Sequence, residues 1–292
     1  MTNTNQLIEL YCAVCHCYDT GIMAAAQRQS NNFCPQFTDE ECITIYLWGI
    51  IRQKHEVKAI HQYIKDYYAA WFPKLPSYQA FNKRICYLSD AFRALAGRLL
   101  SDAGTDPETN EYIIDSMPIA VAGNKRSGTA RAASELCNKG YCASKGMYYY
   151  GVKLHAFSQC RNRALPKMKS VLVSQASECD LPAAKRMLED VFGVDVYADK
   201  MYKCADWEAS MKRDNNVSII TPAKLKRNKP KLSFFEKLYS SAVSGMRQPI
   251  ESFFNWLQVK TRIQSASKIR SANGLLSFIF ARISAACFLA NC

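Results

Sequence analysis

Between residues 112 and 221 short β-rich runs and helical stretches follow one another in a fixed order, and that order restricts the fold more than any other feature. Residues 112–116 (YIIDS) are short and β-branched. Residues 147–157 (MYYYGVKLHAF) alternate and are rich in aromatics, 161–163 (RNR) sit where a hairpin turn is expected, and 169–174 (KSVLVS) form a third strand. A helix is expected over 181–191, with Pro182 near its first turn. Residues 194–198 (VDVYA) read as a fourth strand, 204–213 as a helix, and 217–221 (VSIIT) as a fifth strand. Short connections make the first three strands an antiparallel meander. Strands joined through helices run parallel.

A five-stranded mixed sheet in this order, with flanking helices, is the ribonuclease-H-like α/β pattern. Ahead of it, residues 1–104 read as entirely helical. Residues 38–68 open with Thr38 as a cap and Asp39, Glu40 and Glu41 in the first turn. A break at 71–76 (WFPKLP) is followed by Ser77, which caps a second helix over 77–100 with Lys83 and Arg84 near its start. Helix, tight connection, basic helix suits a helix-turn-helix reader of DNA and equally a small bundle. The polar stretch 101–111 (SDAGTDPETNE) marks a boundary, dividing the chain into a helical region over 1–104 and a sheet domain over 105–292.

The charge is unevenly placed. Of a net +13 over 292 residues, residues 222–292 carry +10. Such a field is the electrostatic footprint of contact with a phosphate backbone, against the alternative of a solvated basic face. This gives the 105–292 domain a basic helical C-terminal segment, while the helix-turn-helix reading makes 1–104 a DNA-binding region by expectation. The run 224–231 (KLKRNKPK) supplies the candidate DNA contacts Lys224, Lys226, Arg227, Lys229 and Lys231, and Lys260 and Arg262 lie further on. Other classes fall away. At 49% apolar and 22% charged residues the chain is not disordered. The first residues lack the pattern of a secretory signal, and the apolar run 275–290 contains Arg282 and several Ser, so a buried helix rather than a membrane span is expected. Thirteen Cys in a chain of this length point to free thiols in a reducing cytoplasm.

Three carboxylates stand out by position. Asp115 lies near the end of the first strand, Asp199 just past the end of the fourth, and Glu251 on the C-terminal helix, nearly alone in the basic field. In the expected sheet the first and fourth strands are neighbours, so Asp115 and Asp199 fall side by side, and the following helix can bring Glu251 over them. Three such acids repel one another unless divalent cations neutralise them. Hard oxygen ligands suit Mg²⁺ or Mn²⁺, and two ions at one site activate an attacking oxygen and stabilise a leaving one in phosphoryl transfer. Glu178, Asp180, Asp195 and Asp206 compete for the second place. Asp195 begins its strand, and Asp180 is placed to cap the helix that follows it.

Four segments carry a resemblance: 114–118 (IDSMP), 149–155 (YYGVKLH), 198–202 (ADKMY) and 247–258 (RQPIESFFNWLQ). In their order and spacing the chain resembles the DDE transposases of bacterial insertion sequences, most closely the group nine-eight-two, over nearly its whole length. The resemblance implies that Asp115, Asp199 and Glu251 are the metal ligands and that Arg247 is the Arg of an Arg-x-x-x-Glu motif. It implies two Mg²⁺ or Mn²⁺ ions per site, cleavage of DNA at terminal inverted repeats, and joining of the 3′-hydroxyl ends to a target. It further implies a bacterial, cytoplasmic and nucleoid-associated protein, no membrane partner, and a homodimer or higher assembly on paired DNA ends. The chain departs from the pattern at Met201, where the family usually has Gly. It departs again at Ser244 and Gln258, where related transposases often carry Tyr and Lys.

Secondary candidates remain. Lys153 and Lys200 are placed to contact phosphate, and His155 to support the site, although such a His is commonly a satisfied strand residue. Cys12, Cys15 and Cys17 lack a second ligand pair at zinc spacing, and buried helix thiols are the reading. Two other functions stay open: a metal-dependent nuclease that cuts without joining, and a DNA-binding protein that no longer uses its carboxylates.

Overall fold

The computed structural model describes residues 3–26, 35–224 and 231–291. The chain forms two compact units. One comprises Met1–Asp102, Arg131–Glu135 and Leu257–Cys292; the other comprises Ala103–Ala130 and Leu136–Trp256. Residues 257–292, which the sequence reading kept with the sheet, pack with the N-terminal helices.

The helical unit contains α1 (Asn3–Cys17), a π-helical turn (Tyr18–Ile22), α2 (Met23–Ala25), α3 (Asp39–Ile51), α4 (Val57–Tyr67), α5 (Tyr78–Tyr87), α6 (Ser89–Asp102) and, near the C-terminus, α10 (Ala272–Asn291). Thr38 starts α3 through a capping box: its hydroxyl accepts from the Glu41 amide at 3.2 Å, and the Glu41 carboxylate accepts from the Thr38 amide at 2.8 Å. The single helix expected over 38–68 is two helices, because Gln53 adopts φ 59° and the chain cannot continue helically through it. The helix expected over 77–100 likewise breaks at Leu88 into α5 and α6. Helix α10 is long and apolar enough to cross a membrane by length and composition, and it lies packed against α6, α3 and α5.

Arg282, on α10, is fully buried in this unit and has no carboxylate partner among the described residues. Its guanidinium donates to the carbonyls of Thr261 (2.9 Å), His55 (2.9 Å) and Phe278 (3.2 Å) and to the Tyr46 hydroxyl (3.2 Å). It also stacks 3.4 Å from the Phe278 ring centroid. Neutral acceptors alone compensate the desolvation of this cation.

The second unit is built on a six-stranded mixed sheet: β1 (Glu111–Gly123), β2 (Asn138–Cys142), β3 (Met147–Gln159), β4 (Lys167–Gln175), β5 (Asp195–Tyr197) and β6 (Ser218–Ile220). β3 pairs antiparallel with β1 on one side, and with β2 and β4 one after the other on its second side. β5 pairs parallel with β1, and β6 parallel with β5. The meander and the two parallel additions are as expected, in the ribonuclease-H-like order. The sixth strand, β2, is an addition. Its sequence NKGYC has no β-branched residue and contains Gly140, whose Cα faces the Ala176 carbonyl too closely for a Cβ. Helices α7 (Asp180–Met187) and α8 (Ala205–Asp214) connect the last strands. They cover one sheet face, packing Ala184, Leu188 and Met211 against Tyr112, Ile114, Phe157 and Val196. The long helix α9 (Phe234–Thr261) follows β6.

Candidate active site

β1 is longer than the expected 112–116, so Asp115 lies in the middle of the strand and not near its end. Pro118 is tolerated in this longer strand because β5 pairs only with residues 111–113, and beyond them that side of β1 has no partner strand. The parallel register aligns Ile113 with Tyr197. Continued by two residues along both chains, it sets Asp199 opposite Asp115. The sheet therefore brings the first two acids together as expected, at the point where β5 ends and β1 runs on.

Arg247, on α9, joins them. Its Nη2 donates to Asp115 Oδ2 at 3.0 Å and its Nη1 lies 3.7 Å from Asp199 Oδ1. Side-chain exposure is 15% for Arg247, 21% for Asp115 and 36% for Asp199. Burial pushes the Asp115 carboxyl up to about 6; Arg247 and the Ser116 amide pull it down, and Asp180 and Asp199 raise it. One guanidinium thus does not offset the desolvation and the neighbouring acids.

A second cluster lies on the opposite sheet face, because Ser116 and its cross-strand neighbour His155 alternate with Asp115 and Ala156. Asp180 there accepts the Ser116 hydroxyl at 3.0 Å and the Lys153 ammonium at 3.0 Å. Lys153 also donates to the Glu178 carbonyl at 2.8 Å, which holds it against the start of α7. His155 is fully buried, with Nε2 2.8 Å from the Ser174 hydroxyl, and burial lowers its pKa to about 4, so its ring is neutral at pH 7. The helix cap expected at Asp180 falls instead on Cys179, and Asp180 is the first residue inside α7. Tyr202, whose buried hydroxyl has no hydrogen-bond partner, is held well above the usual tyrosine range, by burial first and then by Asp115 and Asp180. It stays protonated beside the carboxylates. Asp180 competes for the second acid's place in the sequence but reads as a helix cap, and Tyr202 carries no signal of its own in the sequence.

Glu251 is exposed, and no contact ties it to Asp115 or Asp199. It lies four residues beyond Arg247 on α9, so the two share a face roughly 6 Å apart. Among the described residues no group of three or more His, Cys, Asp or Glu is close enough to hold a metal ion. Asp115 and Asp199 by themselves suit a hard divalent cation: both offer carboxylate oxygens, and the cationic Arg247 already bridges them.

The remaining basic candidates are dispersed. Lys200 is exposed in the 3₁₀ turn after Asp199, and Lys224 and Lys231 are exposed. Lys226, Arg227 and Lys229 lie outside the described residues. Lys260 lies in the last turn of α9 and Arg262 follows the helix with φ 51°, both within the helical unit. On α1, Cys12 is exposed, Cys15 half-buried and Cys17 buried.

A family model described as a transposase DDE domain matches residues 106–271. No curated protein and no solved structure matches the chain.

Proposed function

Since the chain belongs to the transposases with a DDE domain, we propose that it cuts the ends of an insertion sequence at terminal inverted repeats and transfers the freed 3′-hydroxyls into target DNA. The observation that carries this reading is the sharing of one guanidinium, Arg247, by Asp115 and Asp199 across neighbouring strands. Asp115, Asp199 and Glu251 would hold Mg²⁺ or Mn²⁺, two ions per site. When bound, the ions supply Lewis-acid activation of the attacking oxygen and charge stabilisation at the leaving one. Met201 in place of the family's usual Gly leaves this donor set unchanged.

The protein's own residues do the rest. The sheet holds Asp115 within β1, and Asp199 stands two residues past the end of β5. Arg247 orients both carboxylates before DNA arrives and is placed to contact a phosphate once they are neutralised. Tyr202 is packed in the core with its hydroxyl kept protonated by burial. Asp180, Lys153 and the neutral His155 tie β3, β1 and the start of α7 together behind the site. Lys200, Lys224, Lys231, Lys260 and Arg262, with Lys226, Arg227 and Lys229, supply cations for the DNA backbone. Paired ends require two copies of the chain, and action on DNA fits a cytoplasmic, nucleoid-associated protein.

The test is incubation of the purified chain with Mg²⁺ and DNA carrying the inverted repeats that flank its reading frame. Joined products support transposition. Cleavage without joining supports a nuclease, and binding without cleavage supports a DNA-binding protein.

A further inference from the structure

The helical unit contains a cleft of about 520 Å³ walled by the start of α4, by α5, by the loop between α9 and α10, and by α10. Its charge is one-sided. Lys58, Arg262, Lys268 and Arg270 line it, and the buried Arg282 stands in its wall. Among the described residues the sole acid in the lining is Glu56, which is paired with Lys268 at 2.5 Å. Three further features favour an anion. Helix α4 begins at the cleft, and no side chain hydrogen-bonds its first amides. Arg282 has only neutral hydrogen-bond acceptors, so its charge is not cancelled from within the protein. The Nδ1 atom of His55 is buried in the same wall without a hydrogen-bond partner. Aromatic surface is also present, from Tyr46, Tyr78 and Phe278. The volume is far more than a phosphate ion needs and lies in the range of sites that hold a small organic ligand.

We infer that this cleft is a nucleotide-phosphate site that grips one phosphodiester and its nucleoside within a DNA strand, apart from the carboxylate site. The inference rests on the reading that the protein acts on DNA. A free mononucleotide carries the same chemistry, and the experiment separates the two sources.

Binding of labelled end-sequence duplex to the full chain is measured in EDTA across a salt series, with deoxyadenosine monophosphate as competitor. The pocket variant is Lys58→Gln/Arg262→Asn/Arg270→Gln; all three positions are exposed, and Asn tolerates the φ of 51° at position 262. The control variant, Lys65→Gln/Lys74→Gln/Arg93→Gln, removes three exposed cations of the same unit outside the cleft. Equal thermal melting of all three proteins secures the comparison. The pocket variant is expected to lower the salt slope by about 0.9, the value of the one lost phosphate contact, with the control unchanged. Equal losses in both variants overturn the inference. Direct binding of the mononucleotide at micromolar concentration that is lost in the pocket variant, with duplex binding insensitive to the pocket, assigns the cleft to free nucleotide and also overturns it. Cleavage in Mg²⁺ is scored in parallel. Normal cleavage with pocket-independent binding sinks the inference alone, and pocket-dependent binding without any cleavage sinks the catalytic reading alone.

Discussion

The carboxyl of Asp115 destabilises the fold it serves, and replacing it with Asn should stabilise the metal-free protein. Burial lifts its pKa from 3.8 to about 6 despite the Arg247 ion pair. A rise of about two pH units at about 1.4 kcal/mol each gives ~3 kcal/mol, and a fifth of the side chain in water reduces this to about 2–3 kcal/mol. The folded value lies above the unfolded one. Asp115 therefore favours the fold fully below about pH 4, and that contribution is lost as pH rises through about 6. Asn, which mimics the protonated acid, escapes the loss. In EDTA at pH 7.5, Asp115→Asn should melt roughly 4–10 °C above the parent, and at pH 4 the two should coincide. Adding Mg²⁺ should raise the parent and leave the variant unmoved. A variant at or below the parent's melting temperature at pH 7.5 would refute the claim that burial dominates at Asp115.

Further outcomes follow from the same coordinates. Removing the guanidinium in Arg247→Gln takes away the largest influence lowering the Asp115 pKa, so the pH-dependent loss of stability should extend above pH 6 in a melting series. Arg282→Met leaves the Thr261 and His55 carbonyls without their donor inside the helical unit and should cost about 3–5 kcal/mol in denaturant unfolding. Gly151→Ala would place a Cβ 2.0 Å from the Ile119 carbonyl oxygen on the paired strand, where only backbone can move, and should cost at least ~1–3 kcal/mol by the same assay.

The order of the strands was legible because period-two runs and helical runs alternate cleanly after residue 112, and that order alone places Asp199 beside Asp115. Boundaries were less so. β1 runs to Gly123 through Pro118, a residue that argues against a strand until the missing neighbour on that side is known. β2 was hidden because its strand character comes from pairing with β3, not from its residues. The break at Gln53 depends on a backbone angle that no composition signals. In the site, a carboxylate at a strand was readable, whereas Asp180 had a competing role as a cap and Tyr202 gave no sign of itself until burial was known. The basic C-terminal field was visible as charge, but that its last 36 residues pack with the N-terminal helices required the tertiary contacts.

The central claim is that Asp115, Asp199 and Glu251 act together on DNA with divalent metal. It is tested most directly by single-turnover cleavage of end-sequence DNA in Mg²⁺ by Asp115→Asn, Asp199→Asn and Glu251→Gln, with DNA binding measured alongside. All three variants should bind as the parent does and cleave at least about a thousandfold more slowly, the scale expected when a group stabilising the transition state is lost. Cleavage at the parent's rate by any one of them, Glu251→Gln above all, would contradict the account.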